Sequence, residues 1–160
     1  SLYIAISNTI FIANITKTYT RIQTIAHECL HSVQNRKLLI FNFIYSNVYI
    51  LYFAISLILT IFNVFKNYEL NIIILSVLSF LYYLVRAYLE TDAMTRAEFL
   101  AKEYLYEYNE KNMVCTKEEV EEVLNEYKRI NKIGIPATNF ILFANCILKI
   151  TIYTIVAIIK

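Results

Sequence analysis

Three apolar runs decide what this chain can fold into. They cover Asn42 to Phe65, Leu70 to Leu89 and Asn139 to Ile159, and each approaches or exceeds the ~20 residues a helix needs to cross the hydrocarbon core of a bilayer. Only Lys66-Asn67-Tyr68-Glu69 separates the first two. So short and charged a connection is a hairpin turn at the far surface, and residues 42–89 read as a transmembrane hairpin, with 139–159 as a third span. A large soluble helical core is the competing reading, and it fits poorly with runs this long and this little broken by charge. Composition agrees: 58% of residues are hydrophobic and 18% charged, against ~45–50% and ~25% in soluble domains. With one Gly and one Pro in 160 residues, loop punctuation is scarce and long helices are expected. Tyr45, Tyr49, Tyr68, Tyr82, Tyr83 and Tyr88 fall mostly towards span ends, as amphipathic rings do at headgroup level. Lys149 interrupts the third span, which follows a Gly134-Ile135-Pro136 break, and is expected to face a protein interior or to snorkel.

Outside the spans the chain is polar. Residues 1–15 hold two short β-branched runs, Tyr3–Ile6 and Ile10–Ile12, with a turn expected at Ser7-Asn8. The chain starts at Ser1 rather than Met, so it reads as trimmed at its N-terminus. Residues 90–132 divide into two expected helices, Thr91 to Asn109 and one opening at Thr116. There Thr116 and Glu119 form a capping box, and Val120, Val123, Leu124 and Tyr127 form an apolar stripe. The run Glu118, Glu119, Glu121, Glu122 reads as a solvated helix face. Two spans separate the residues before Phe41 from 90–132, so both lie on one side. Most Lys and Arg lie there too, which points to the cytoplasmic face. A formal charge of +2, with no basic stripe interleaved with aromatics, argues against nucleic-acid binding. Cys29, Cys115 and Cys146 are odd in number and widely spaced, which favours neither a disulfide framework nor a cysteine-held zinc.

Both histidines of the chain sit in His27-Glu28-Cys29-Leu30-His31. Four apart on a helix, expected over 17–37, the imidazoles project from one face and can grip one Zn²⁺, with Glu28 beside the first ligand to polarise a bound water. Ile22, Ile25, Ala26, Cys29, Leu30 and Val33 supply the apolar positions of that helix. Cys29 turns away from the ligand face. A catalytic zinc needs a third protein ligand, and without a third histidine Glu90, Asp92 and Glu98 compete for the place. Glu90 and Asp92 are two apart and cannot share a helix face, so one is expected to ligate and the other to support it or to be solvated. The hairpin returns Glu90 to the surface that His31 left.

The motif, followed by a membrane hairpin and then by Glu90-Thr91-Asp92-Ala93-Met94-Thr95-Arg96-Ala97, resembles the neutral zinc metallopeptidase family of bacterial membrane proteins. In that family an HExGH helix precedes a membrane hairpin and an E-x-D-A-x-x-R-A segment. The resemblance runs from about Asn8 to the third span. It implies a mainly α, integral membrane fold in one domain over 1–160, with a zincin-like motif helix and a short N-terminal β element. It also implies Zn²⁺ held by His27, His31 and Glu90, Glu28 as catalytic base, and Asp92 and Arg96 orienting ligands or neighbouring carboxylates. The expected activity is hydrolysis of a peptide or protein substrate at the cytoplasmic face of a bacterial cell membrane. Leu30 departs from the pattern, standing where the family places Gly. A strand at Ile10–Ala13 is expected to pair with extended substrate by edge addition. Two other classes compete. One is an intramembrane zinc protease with Asp92 as third ligand, against which Lys17, Arg21, Gln23, Gln34, Asn35, Arg36 and Lys37 make the motif helix too polar for lipid. The other is a catalytically silent membrane interaction protein that keeps the motif only structurally.

Overall fold

The computed structural model describes residues 2–4, 6–12, 14, 18–112 and 116–160. Lys17, Ala13 and Cys115, on which parts of the expected motif helix, edge strand and cysteine set fall, lie outside the described residues. The described elements are β1 (Leu2–Ile4), β2 (Thr9–Phe11), α1 (Thr18–Val33), α2 (Arg36–Ile61), α3 (Tyr68–Asn112) and α4 (Lys117–Ile159). The chain is therefore mainly helical, with a small N-terminal sheet. β1 and β2 pair antiparallel, Tyr3 opposite Ile10. Asn8 turns the chain in the left-handed region at φ 53°, a conformation asparagine tolerates. It also accepts a 2.9 Å hydrogen bond from the Tyr3 hydroxyl.

The helices differ from the sequence expectation in three places. The motif helix stops at Val33 instead of reaching residue 37, because Asn35 caps the next helix: its Oδ1 accepts from the amides of Lys37 and Leu38 at 3.0 and 3.4 Å. The second apolar run and the first polar helix are one 45-residue helix, α3. A change of solvent does not end a helix; a cap or a breaker does, and residues 68–112 contain neither Gly nor Pro. Likewise α4 joins the second polar helix to the third span and carries Pro136 inside it, so the expected Gly134-Ile135-Pro136 break is absent. Proline removes one amide bond, whereas the apolar stretch beyond it satisfies its backbone groups best by staying helical.

The chain forms two compact units. One comprises Ile40–Tyr88 with Thr138–Lys160, the other Ser1–Leu39 with Leu89–Ala137. In the first, α2, α3 and α4 each hold a stretch long and apolar enough to cross a membrane, and only 17% of each stretch is buried. Ile44, Val48 and Leu51 on α2, Phe80 on α3 and Ile147 and Ile155 on α4 are exposed. Apolar surface on this scale suits hydrocarbon rather than water. The interior is tyrosine-rich, which corrects part of the expected headgroup belt. Tyr49 is 1% exposed and pairs with Ser79 at 2.8 Å, Tyr45 donates to the Leu78 carbonyl at 2.9 Å, and Tyr52 donates to Asn71 at 2.9 Å. A phenol away from water needs such a partner. Thr60 and Tyr153 are joined the same way at 3.0 Å. Lys149 sits half-buried with its ammonium 5.4 Å from the centre of the Tyr49 ring, a cation–π placement towards the interior.

The hairpin turn uses asparagine where many helices use glycine. Asn63 adopts φ 56°, its amide donates to the Thr60 carbonyl at 3.0 Å, and the Val64 amide donates to the Leu59 carbonyl at 2.9 Å. These two bonds are the Schellman pair that closes a helix C-terminus. Asn67 then caps α3 through the Leu70 amide at 3.1 Å.

In the other unit α1 packs with the polar parts of α3 and α4. Its core is Ala26, Leu30, Ala93, Ala97, Ala101, Val120, Leu124 and Tyr127. Ala93, Ala97 and Ala101 recur every four residues, each at most 1% exposed, so α3 presents a strip without bulk. The capping box is formed in both directions: Glu119 N–H donates to Thr116 Oγ1 at 3.2 Å and Thr116 N–H to Glu119 Oε2 at 2.7 Å. Gly134 lies close to Met94: a Cβ there would meet the Met94 methyl, the end of a flexible side chain, at 3.0 Å and require it to shift slightly.

Candidate metal centre

The centre lies within the second of these units and is built by register along two helices. On α3, Glu90 precedes Ala93 by three residues, so it extends the alanine strip by a turn and shares its face. On α1 and the residue just past its end, Gln23, His27, His31 and Gln34 follow at intervals of four, four and three, one stripe of a 3.6-residue helix. Every member of the stripe meets a partner. Gln23 Nε2 donates to Asn131 Oδ1 at 3.0 Å, and Asn131 Nδ2 donates on to the Met94 carbonyl at 3.1 Å. The two histidines meet Glu90, and Gln34 meets Asp92. Gln23 and Gln34, two of the polar residues of the motif helix, are thus docking contacts.

His27 Nε2 and His31 Nε2 stand 3.1 Å apart, and Glu90 Oε2 lies 3.5 Å from the first and 3.8 Å from the second. Ligands of a tetrahedral zinc, each ~2.0–2.2 Å from the ion, stand about 3.4 Å from one another. The observed triangle brackets that spacing. Among the described residues these three form the one group of His, Cys, Asp and Glu donors close enough to hold an ion together. All three are only partly exposed, with side-chain exposures of 23%, 11% and 13%. His31 occupies the last turn of α1, where the helix dipole favours a cation.

Glu28 is buried, one residue from His27 and near enough for its charge to act on His31. Burial alone would lower the His31 pKa. The Glu90 carboxylate, the Gln34 contact and the charge of Glu28 outweigh it, and the net shift is upward from 6.5.

Asp92 and Glu98, the other candidates for third ligand, stand outside the triangle. Asp92 Oδ2 accepts from Gln34 Nε2 at 2.7 Å and lies 3.7 Å from Arg96 Nη1, while Glu98 Oε2 is approached by Asn131 at 3.4 Å. Cys29 is directed away from the His27–His31–Glu90 triangle and lines an apolar recess of about 330 Å³ with Ile22, Ile25, Ala26 and Tyr104.

Against protein-family models, curated proteins and solved structures, the chain has no match. Its own residues therefore carry the functional case.

The HExxH motif does not point to Gln34. Its Oε1 meets His31 Nδ1 at 2.8 Å, and its Nε2 donates to both Asp92 and the Leu89 carbonyl, at 2.7 and 3.0 Å. The available signal was its position three residues after His31, on the same face. Its partners, 55 and 58 residues further on, were not readable from that spacing.

Proposed function

We propose that this chain is a membrane-bound zinc metallopeptidase. The observation that carries the proposal is the convergence of His27, His31 and Glu90 at 3.1 to 3.8 Å on one another, with Glu28 in the position that an HExxH helix gives its base. His27, His31 and Glu90 would hold the ion; zinc in such a site would supply an acidified water and polarise a carbonyl. Glu28 takes the proton of the attacking water and returns it to the amine nitrogen as the peptide bond breaks. Asp92 and Arg96 support the centre from outside it. The three apolar helices tie the enzyme to a bilayer, and the Lys and Arg bias of the polar segments favours the cytoplasmic face of a bacterial cell membrane.

The test is metal analysis of the purified full chain beside proteolysis of an unfolded protein. Wild type is expected to hold one zinc and His27→Ala none. Glu28→Gln is expected to keep zinc and lose cleavage. Wild type without stoichiometric zinc would refute the metallopeptidase assignment, and a Glu28→Gln chain that still cleaves would remove Glu28 as base.

A further inference from the structure

Gln34 belongs neither to the HExxH motif nor to the ligand triangle, yet its amide touches both sides of the centre. A side-chain amide donates only through nitrogen and accepts only through oxygen. Here the nitrogen is placed by two acceptors, Asp92 Oδ2 at 2.7 Å and the Leu89 carbonyl at 3.0 Å. The reversed amide would set its oxygen against both, so Oε1 is left to face His31 Nδ1 at 2.8 Å. An amide oxygen cannot donate, so the proton of that bond sits on Nδ1. In the neutral ring Nε2 then carries the bare lone pair, and Nε2 is the atom facing His27 and Glu90. A metal needs that tautomer and no other at this position.

We propose that Gln34 is a positioning residue that fixes the tautomer and ring orientation of His31 for metal binding, and that Asp92 acts on the centre through the Gln34 amide and not as a ligand. This rests on the zinc assignment of the site. The order of the chain gives glutamine a specific advantage over glutamate at position 34. Glutamate would also accept from Nδ1, but it would set a second carboxylate against Asp92, where the amide now donates.

Two measurements on the full chain in detergent test this. The first is imidazole ¹⁵N NMR of zinc-free protein at alkaline pH, where both rings are neutral: His31 is expected to carry its proton on Nδ1, and to lose that preference in Gln34→Leu. The second is zinc affinity by competition with a chromophoric chelator. Loss of such an outer partner typically weakens binding ~10–100-fold, so Gln34→Leu and Gln34→Glu are each expected to fall in that range. Gln34→Glu combined with Asp92→Asn, which restores a donor opposite the new carboxylate, is expected to bind more tightly than Gln34→Glu alone. Should Gln34→Leu fail to fold, as judged by helical circular dichroism, the comparison of Gln34→Glu with the double variant decides. The proposal is overturned if zinc-free wild type carries the His31 proton on Nε2, if Gln34→Leu folds and binds zinc like wild type, or if the double variant binds no better than Gln34→Glu. Those results leave the zinc assignment standing; wild type that binds no zinc at all overturns both.

Discussion

Replacing Leu30 by Gly would place at this position the residue that the resembling peptidase family carries there, and the structure makes the expected cost specific. Leu30 is 6% exposed and shares a buried cluster with Ala26, Ala93, Ala97 and Ala101. The alanines have no side-chain length with which to fill the space left behind. Truncating a buried leucine to alanine costs about 2–5 kcal/mol, and going on to glycine inside a helix adds about 1 kcal/mol. The total of about 3–6 kcal/mol corresponds to roughly two to four decades in the opening equilibrium of α1. Amide hydrogen exchange read by mass spectrometry on zinc-free protein measures it locally. In Leu30→Gly, protection of Ile22–Val33 is expected to fall by that factor or to complete exchange. The amides of Ile44–Thr60, in the other unit, serve as the internal control and are expected to keep theirs. A fall of less than tenfold in α1 would show that Leu30 does not support the packing described. An equal fall in both stretches would show that the damage is not local.

Three further outcomes follow from particular contacts. Thr116→Ala removes the hydroxyl that caps α4 and should cost about 1 kcal/mol, seen as faster exchange confined to residues 117–122. Asn63 holds a left-handed conformation at the hairpin turn, so Asn63→Val should lower the thermal midpoint in detergent, at about 1–2 kcal/mol for a branched side chain there, while Asn63→Gly should stay close to wild type. The raised pKa of His31 means that the folded, zinc-free chain binds its proton more tightly than the unfolded chain does. That contribution is fully present below the unfolded value of 6.5 and fades as pH rises through the folded one. Zinc-free protein should thus lose stability on going from mildly acidic to alkaline pH, and a His31→Gln variant should lose less.

Much of the site was legible in the residues. The HExxH spacing marks two of the three converging side chains, and the short charged turn after Phe65 implies that the chain returns towards its starting surface, where Glu90 is the first carboxylate. Thr116 with Glu119 announces a helix start because both halves of a capping box are local. What escaped was governed by contacts far apart in sequence or by the absence of a signal. Hydropathy changes sharply at Leu89, but nothing there interrupts the backbone, so α3 continues. Gln34 looks like any polar residue at the end of an amphipathic helix until Asp92 and the Leu89 carbonyl are brought against it. Tyr49 and Tyr45 resemble headgroup anchors by position along the span, and only the neighbouring helices supply Ser79 and the Leu78 carbonyl that draw them inside.

The alanine strip of α3 carries a consequence for how chains of this kind can diverge. The cluster joins a large residue on α1, Leu30, to three side chains on α3 that are already as small as a chiral residue allows. Volume here is shared, so change can run in only one coordinated direction. The E-x-D-A-x-x-R-A pattern keeps alanine at the positions of Ala93 and Ala97, so a chain with glycine at the position of Leu30 has room to spare and should carry something bulkier at the position of Ala101. A chain that keeps leucine should keep the strip. Across related sequences, the summed side-chain volume at positions 30 and 101 should vary less than the volume at either one. Independent drift at the two would mean that the spacing of α1 and α3, and with it the reach from Glu90 to the histidines, is not governed by this packing.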